Sequence, residues 1–175
     1  MKLQTSVAQK LTITEVTDLD PISVYLEDFG PGQGKVTITC FDDSWSRYWS
    51  HMGEKYDIRA FLLKADEHYL AGKFAPQLDQ EVDDLGKLAD EAKKHIIECR
   101  RDRSCCVTKD KARELFDQAE DLECQHDEDP TGYRDAMYDI FGDEWWYNVP
   151  KKPNHQYEYL CRIINTVKAA LQEAS

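Results

Sequence analysis

The sequence predicts an α+β fold, in which an antiparallel β-meander is covered by one helix and is followed by an α-helical segment. Three observations support this prediction. Residues 11–50 alternate with a period near two, as strands do, and residues 57–72 change to helical spacing. After Pro76 the composition shifts toward helix-forming and charged residues. Strands that precede helices, rather than alternating with them, are typical of α+β proteins.

Four strands are predicted in the first part of the chain, and each is rich in β-branched or aromatic residues. They run through residues 11–16, 22–26, 35–41 and 44–49. Asp20 precedes Pro21, and a residue before proline is pushed out of the helical region, so a turn is expected there. Residues 30–34 supply three glycines and a proline, which suits a hairpin loop. Strands joined by such turns pair as an antiparallel meander.

Helices are predicted wherever apolar residues recur at helical spacing. The first starts at the N-cap candidate Asp57 and ends at Gly72. The others cover residues 79–101, 109–124, 132–141 and 156–174. We place a boundary near Pro76, between an α+β unit of residues 1–75 and a helical, acidic segment of residues 76–175 packed on it; a single domain is the alternative.

The charge balance excludes some classes of ligand. The chain has 34 acidic and 22 basic side chains and a formal net charge of −12. Proteins that bind duplex nucleic acid displace counterions with a basic surface, so direct binding of a duplex is not expected. No apolar run approaches the ~20 residues of a membrane span, so no membrane association is expected. Residues 1–10 lack the apolar core of a signal peptide, and we expect a cytoplasmic protein.

Acidic residues concentrate in what we call the acidic segment, residues 117–129. Its seven carboxylates lie near a predicted helix end, where the helix dipole disfavours negative charge. They are Asp117, Glu120, Asp121, Glu123, Asp127, Glu128 and Asp129. One interpretation is an ordinary solvated face. The other is a surface that binds a basic partner by mimicking the phosphates of nucleic acid.

Two aromatic groups add to the candidate binding residues. Trp145 and Trp146 are adjacent, and a regular helix cannot direct both rings into one core. One of the two rings is therefore expected at a domain junction or at a partner-binding surface. The other group, Trp45, Tyr48 and Trp49, offers rings on which single-stranded bases could stack.

The cysteines and histidines are weak candidates for a metal site. The six cysteines have no Cys-x-x-Cys spacing, and in a reducing compartment we interpret them as thiols. The weak candidate ligands are His95, Cys99, Cys124 and His126, with Cys105 and Cys106 between them in the chain. Residues 127–132 resemble the start of a calcium loop, but its twelfth position is Tyr138 instead of glutamate. No metal and no cofactor is therefore predicted.

The chain has no recognisable catalytic motif. Nucleotide-binding loops, nucleophile elbows and zinc-protease helices do not occur, and the glycines of residues 30–34 open no helix that would bind phosphate. His51 or His68 could act as a general base only with a partner that the sequence does not locate. We expect no catalytic residue and no enzyme. A small metal-dependent hydrolase with clustered carboxylates is an alternative.

Three segments resemble a family of small accessory proteins of bacteriophages and prophages of enteric bacteria. They are residues 19–40 (LDPISVYLEDFGPGQGKVTITC), 45–53 (WSRYWSHMG) and 157–164 (YEYLCRII). The likeness covers residues 1–75 and the end of the chain. It implies no catalytic residue, but such proteins commonly bind host proteins, including restriction and CRISPR machinery, and many of these inhibitors are acidic.

The expected function combines the resemblance with the acidic segment. It is that of a non-enzymatic phage accessory protein that binds a basic surface of a host protein, as an anti-CRISPR or anti-restriction inhibitor that mimics nucleic acid. The first alternative is an accessory protein for processing single-stranded nucleic acid, and the second is the metal-dependent hydrolase. The sequence does not predict the oligomeric state.

Overall fold

The computed structural model describes residues 3, 5, 7–102 and 107–174. The chain divides into two compact units. Unit 1 comprises Met1–Gln80 together with Asn154–Ser175, and unit 2 comprises Glu81–Pro153. Unit 2 is therefore an insertion in the sequence of unit 1.

Unit 1 contains a four-stranded antiparallel sheet in the order β1-β2-β3-β4. The strands are β1 Gln9–Ile13, β2 Ile22–Gly30, β3 Gln33–Cys40 and β4 Asp43–Trp49. The sheet followed by helices confirms the predicted α+β class and meander. Strand β1 ends earlier than predicted, because Glu15 and Asp18 adopt positive φ angles of 64° and 56° and turn the chain away from the sheet.

Seven α-helices lie in the described residues. They are α1 Ile58–Lys64, α2 Glu67–Phe74, α3 Leu85–Arg101, α4 Lys109–Glu120, α5 Leu122–Glu128, α6 Pro130–Phe141 and α7 His155–Glu173. None of these helices combines the length and apolar character that crossing a membrane requires.

The prediction of one continuous helix over residues 57–72 is wrong. Ala65 is extended, with ψ of 144°, and separates α1 from α2. Asp66 then caps α2, since its Oδ1 accepts hydrogen bonds from the amides of His68 and Tyr69 at 2.9 and 3.2 Å. Lys168 of α7 donates a hydrogen bond of 2.5 Å to the carbonyl oxygen of Ala65. Two helices joined by a cap therefore replace the single one.

One face of the sheet in unit 1 is covered by α1, α2 and α7. The strands contribute the buried residues Ile22, Val24, Leu26, Val36, Ile38 and Cys40, and α7 contributes Tyr157, Leu160, Ile163, Ile164, Val167 and Leu171. The predicted division grouped the last helix with the acidic helical segment, whereas the structure places it in unit 1. An apolar stripe shows that a helix face is buried but does not show which core receives it.

Unit 2 has a separate core formed by α3, α4, α5 and α6. The chain enters and leaves this unit through a two-stranded antiparallel ribbon, β5 Glu81–Asp83 and β6 Lys151–Pro153. The predicted helix over residues 79–101 is thus too long at its start: Val82 pairs with Lys152 as a strand residue. The predicted helix over residues 109–124 also divides, at Asp121, a residue type favoured at helix ends.

The position of α7 leads to a test of unit 1. Replacing the fully buried Ile163 by alanine leaves a cavity, so we expect the free energy of unfolding of unit 1 to fall by about 2 to 4 kcal/mol. Hydrogen exchange of the β2 and β3 amides in increasing urea measures this change. The control Asn165→Ala, on the exposed side of α7, should change it by no more than about 0.5 kcal/mol. Equal exchange in the two variants would contradict the packing of α7 on the sheet.

Gly34 provides a second test, because α1 packs directly on it. A Cβ at Gly34 would lie 2.9 Å from Cβ of Ile58 and 3.0 Å from the carbonyl oxygen of Glu27. We expect Gly34→Ala to lower the melting temperature, at a cost of about 1 to 3 kcal/mol. Gly72 lies in α2, and a Cβ there meets nothing within 4 Å. Gly72→Ala should therefore raise the melting temperature, with a gain of about 0.5 to 1 kcal/mol in the free energy of unfolding. A neutral Gly34→Ala would show that α1 does not approach the sheet this closely.

Candidate functional site

The acidic segment lies on the surface of unit 2. All seven of its carboxylates belong to exposed residues. Leu115, Ala119 and Leu122 on the same helices are buried in the core of unit 2, so the opposite side of α4 and α5 faces solvent. The surrounding stretch, residues 114–133, contains eight acidic residues and no lysine or arginine. The nearest basic residues in the sequence flank this stretch: they are Arg113, Arg134 and Lys111, and Nζ of Lys111 lies 3.0 Å from Glu114.

Basic residues from other parts of the chain compensate little of the charge. Glu120 is 2.9 Å from Nζ of Lys93 on α3. In the part of the chain that the structure describes, no ion pair forms at Asp117, Asp121, Glu123 or Glu128. Most of the negative charge of the acidic segment is thus available to a partner in solution.

Two of the seven carboxylates have local roles. Oδ1 of Asp129 accepts a hydrogen bond from the amide of Gly132 at 3.0 Å and so caps α6, which Pro130 begins. Oδ1 of Asp127 is 2.9 Å from Nδ1 of His126. Asp129 therefore has a structural reason to be present that does not depend on any partner.

The carboxylates occupy two successive helices and not one uninterrupted face. Asp117 and Glu120 are three residues apart on α4, and Asp121, the C-cap residue of α4, is four residues from Asp117. Glu123 and Asp127 are four residues apart on α5. Neighbours at this spacing have Cβ atoms ~5–6 Å apart, so each helix presents closely spaced negative charge.

A chain of ring contacts connects the acidic segment to exposed aromatic residues. His126 packs on Tyr133, with 5.0 Å between ring centroids, and Tyr133 packs on Trp145 at 5.9 Å. Trp145 contacts Trp146, which contacts Tyr147, each at 5.9 Å. Burial raises the pKa of Tyr133, and the charge of Asp83 adds to the rise, so its phenol stays neutral.

The adjacent tryptophans have different environments. Trp145 is half-buried and packs against the core of unit 2. Trp146 is 51% exposed and Tyr147 78% exposed. Large rings with this exposure are common at protein interfaces, and Trp146 rather than Trp145 is the candidate contact residue.

The candidate metal ligands do not assemble into a site. His95 Nε2 lies 3.4 Å from Cys99 Sγ on α3, and the His95 ring packs on Phe141. Cys124 is exposed, and His126 is bonded to Asp127. Nowhere in residues 7–102 or 107–174 do three metal-ligating side chains come together. Cys105 and Cys106 lie outside the described residues.

Residues 127–132 do not form the open turn of a calcium loop. A calcium loop would keep its ligands on an open turn of twelve residues. Here α5 continues to Glu128 and α6 begins at Pro130, and Asp129 is occupied as the cap between them.

The rings considered for base stacking do not share a surface. Trp49 is buried against Phe61 and Phe74, at 5.4 and 5.7 Å between centroids. Trp45 packs on Tyr159 at 6.5 Å. Tyr48 alternates with both along β4 and so points to the opposite face of the sheet. The structure therefore offers no common platform of these three rings.

One contact between distant residues could not be read from the sequence. The ring of His68 stacks on that of Tyr157, with 5.9 Å between the ring centroids. Nδ1 of His68 lies 3.1 Å from the Tyr157 hydroxyl oxygen and 4.0 Å from Sγ of Cys161. Burial raises the pKa of Cys161, and the charge of Glu67 adds to the rise, so the thiol stays protonated. This pairing thus lacks the activated thiolate of a cysteine nucleophile. His51 is exposed, and its Nδ1 lies 3.4 Å from Oγ of the neighbouring Ser50.

A family model described as a phage family matches residues 1–173. The chain belongs to this phage family. The resemblance to phage proteins is confirmed, and the match also includes the acidic segment, which the resemblance did not cover. No curated protein and no solved structure matches the chain.

Mutation can distinguish the roles of Trp145 and Trp146 in this phage protein. We expect Trp145→Ala to cost about 2 kcal/mol of stability, because its half-buried ring supports the core of unit 2. Trp146→Ala should cost less than about 1 kcal/mol. Thermal unfolding followed by circular dichroism measures both. A large loss of stability in Trp146→Ala would mean that this ring has a structural role and is not a free contact residue.

Proposed function

We propose that this phage protein is a non-enzymatic accessory protein that binds a basic surface of a host protein through the acidic segment. The observation that carries the proposal is the charge of residues 117–129: all seven carboxylates belong to exposed residues, and Asp117, Asp121, Glu123 and Glu128 form no ion pair with any described residue. Its partner would be a protein of a host defence system, of the CRISPR or restriction type, acting in the host cytoplasm.

The chemistry of the partner follows from the charge. A groove that binds nucleic acid is lined with lysine and arginine, which contact phosphate oxygens. Carboxylates on adjacent helical turns present oxygen acceptors at spacings that such side chains can reach. A carboxylate surface of this kind would compete with nucleic acid for the basic groove of the partner protein.

The net charge of −12 also favours rapid association with a basic partner. Complementary charge raises association rates above the ordinary range for proteins, and salt reduces the effect. The exposed rings of Trp146 and Tyr147, which successive ring contacts link to His126 of the acidic segment, would add apolar contact. Tryptophan and tyrosine are among the residues that contribute most to binding energy.

The test is capture of host proteins with charge-reversed variants. Asp121, Glu123 and Glu128 are changed together to lysine, because they are exposed and none of them caps a helix through its side chain. We expect capture from a host lysate, quantified by mass spectrometry, to fall at least about tenfold. The captured proteins should have basic surfaces that bind nucleic acid, and the phage protein should block that binding.

The control variant makes the same change in net charge at residues of unit 1. Asp42, Glu54 and Glu173 are exposed carboxylates of unit 1, and their joint replacement by lysine should preserve capture. If both triple variants lose capture equally, the binding reports total charge and not the acidic segment. If the acidic-segment variant captures the same proteins as the unchanged chain, the proposal is wrong.

A further inference from the structure

Unit 2 contains a groove of different chemistry, between the end of α3 and the start of α4. Its volume is about 450 Å³. Ile97, Ala112 and Phe116 provide an apolar floor, and Ile97 is 42% exposed although it is a large apolar side chain. An exposed apolar groove of this kind marks a contact with another molecule more often than isolated apolar residues do.

The rim of the groove is basic, in contrast to the rest of unit 2. Arg100, Arg101 and Arg113 line it, with one carboxylate, Asp117. Arg100 donates a hydrogen bond of 3.1 Å to the carbonyl oxygen of Val107. Arg101 and Arg113 form no ion pair with any described residue, so their guanidinium groups are available. In a unit with 20 acidic and 12 basic residues, two unpaired arginines beside an apolar floor are unusual.

We propose that this groove docks an amphipathic helix of a partner protein, with apolar residues on one face and aspartate or glutamate on its flanks. Two packed helices leave a groove that a third helix can fill with its ridge of side chains. The apolar face would cover Ile97 and Phe116. Carboxylates on the flanks would form paired hydrogen bonds with the planar guanidinium groups of Arg101 and Arg113.

Other occupants fit the groove less well. The acidic segment of a second copy has matching charge, but its apolar residues Leu115, Ala119 and Leu122 are buried in their own core and cannot reach the floor. Nucleic acid would place phosphates against an apolar floor and next to Asp117. An acidic amphipathic helix satisfies both the floor and the rim.

The test uses the full chain and two matched peptides of 16 residues. Both have leucine at positions 1, 4, 5, 8, 11, 12 and 15; one has glutamate at the flanking positions and the other has lysine. We expect the glutamate peptide to bind at least about tenfold more tightly in fluorescence anisotropy. Joint replacement of Arg101 and Arg113 by glutamate should abolish that preference, and Ile97→Ser should weaken binding of the glutamate peptide.

Three controls make the outcome decisive. Arg47→Glu with Lys55→Glu reverses the same charge on exposed residues of unit 1 and should leave binding of the glutamate peptide within about threefold. The lysine triple variant of Asp121, Glu123 and Glu128 should also retain it, so failure of this proposal is distinct from failure of the proposed function. Sedimentation of the unchanged chain measures its self-association.

The proposal is overturned if the glutamate peptide shows no saturable binding up to 1 mM, a weak affinity limit. Equal affinity for the two peptides, or binding unaffected by the change at Arg101 and Arg113, also overturns it. Self-association that these two arginine changes abolish would assign the groove to a second copy instead.

Discussion

Burial of the apolar stripe on α4 and α5 is the constraint on which the candidate site depends. Leu115, Ala119 and Leu122 can leave water only by facing the core of unit 2. Their burial fixes the rotation of both helices and leaves the carboxylates no position except the surface. The acidic segment is therefore not a loosely attached charged tail. Its charges are held by the same packing that folds the unit.

The local elements were predictable from the sequence more fully than their assembly. Period-two alternation predicts the sheet because only one of its faces is buried, as Val24 and Ile38 show. The breaks at Ala65 and Asp121 were missed, since helical periodicity continues through both. The side chain of Asp66 caps the helix after the first break, whereas no side chain caps the helix after the second. The location of α7 in unit 1 was also missed. Its stripe requires a partner, but 73 residues of unit 2 intervene, and spacing does not identify the partner.

The candidate site likewise has features that the sequence predicts and features that depend on how the helices pack. Charge and exposure of the acidic segment follow from composition and helical spacing, so the sequence predicts both. The ring contacts from His126 to Trp146, and the apolar groove beside Arg101 and Arg113, depend on which helices pack together. So does the contact of His68 with Cys161, across 93 positions of the chain. No local pattern contains this information.

Helix α4 carries opposite charges at its two ends, and the two would act over different distances. Arg113 lies in the basic rim, whereas Glu120 and Asp121 belong to the acidic segment. At physiological salt, charges are screened over ~8 Å, so the field of the net charge acts on a partner only at short range, where each local group of charges also acts. The summed field is negative and attracts a basic protein. The arginines of the groove contribute only at contact, once an apolar surface has displaced the water around them and strengthened their attraction for carboxylates. A partner that satisfies both surfaces must therefore be basic overall and carry one acidic amphipathic helix. That combination is more selective than either surface alone, because a protein that is merely basic cannot fill the groove and one that is merely acidic gains no attraction from the acidic segment.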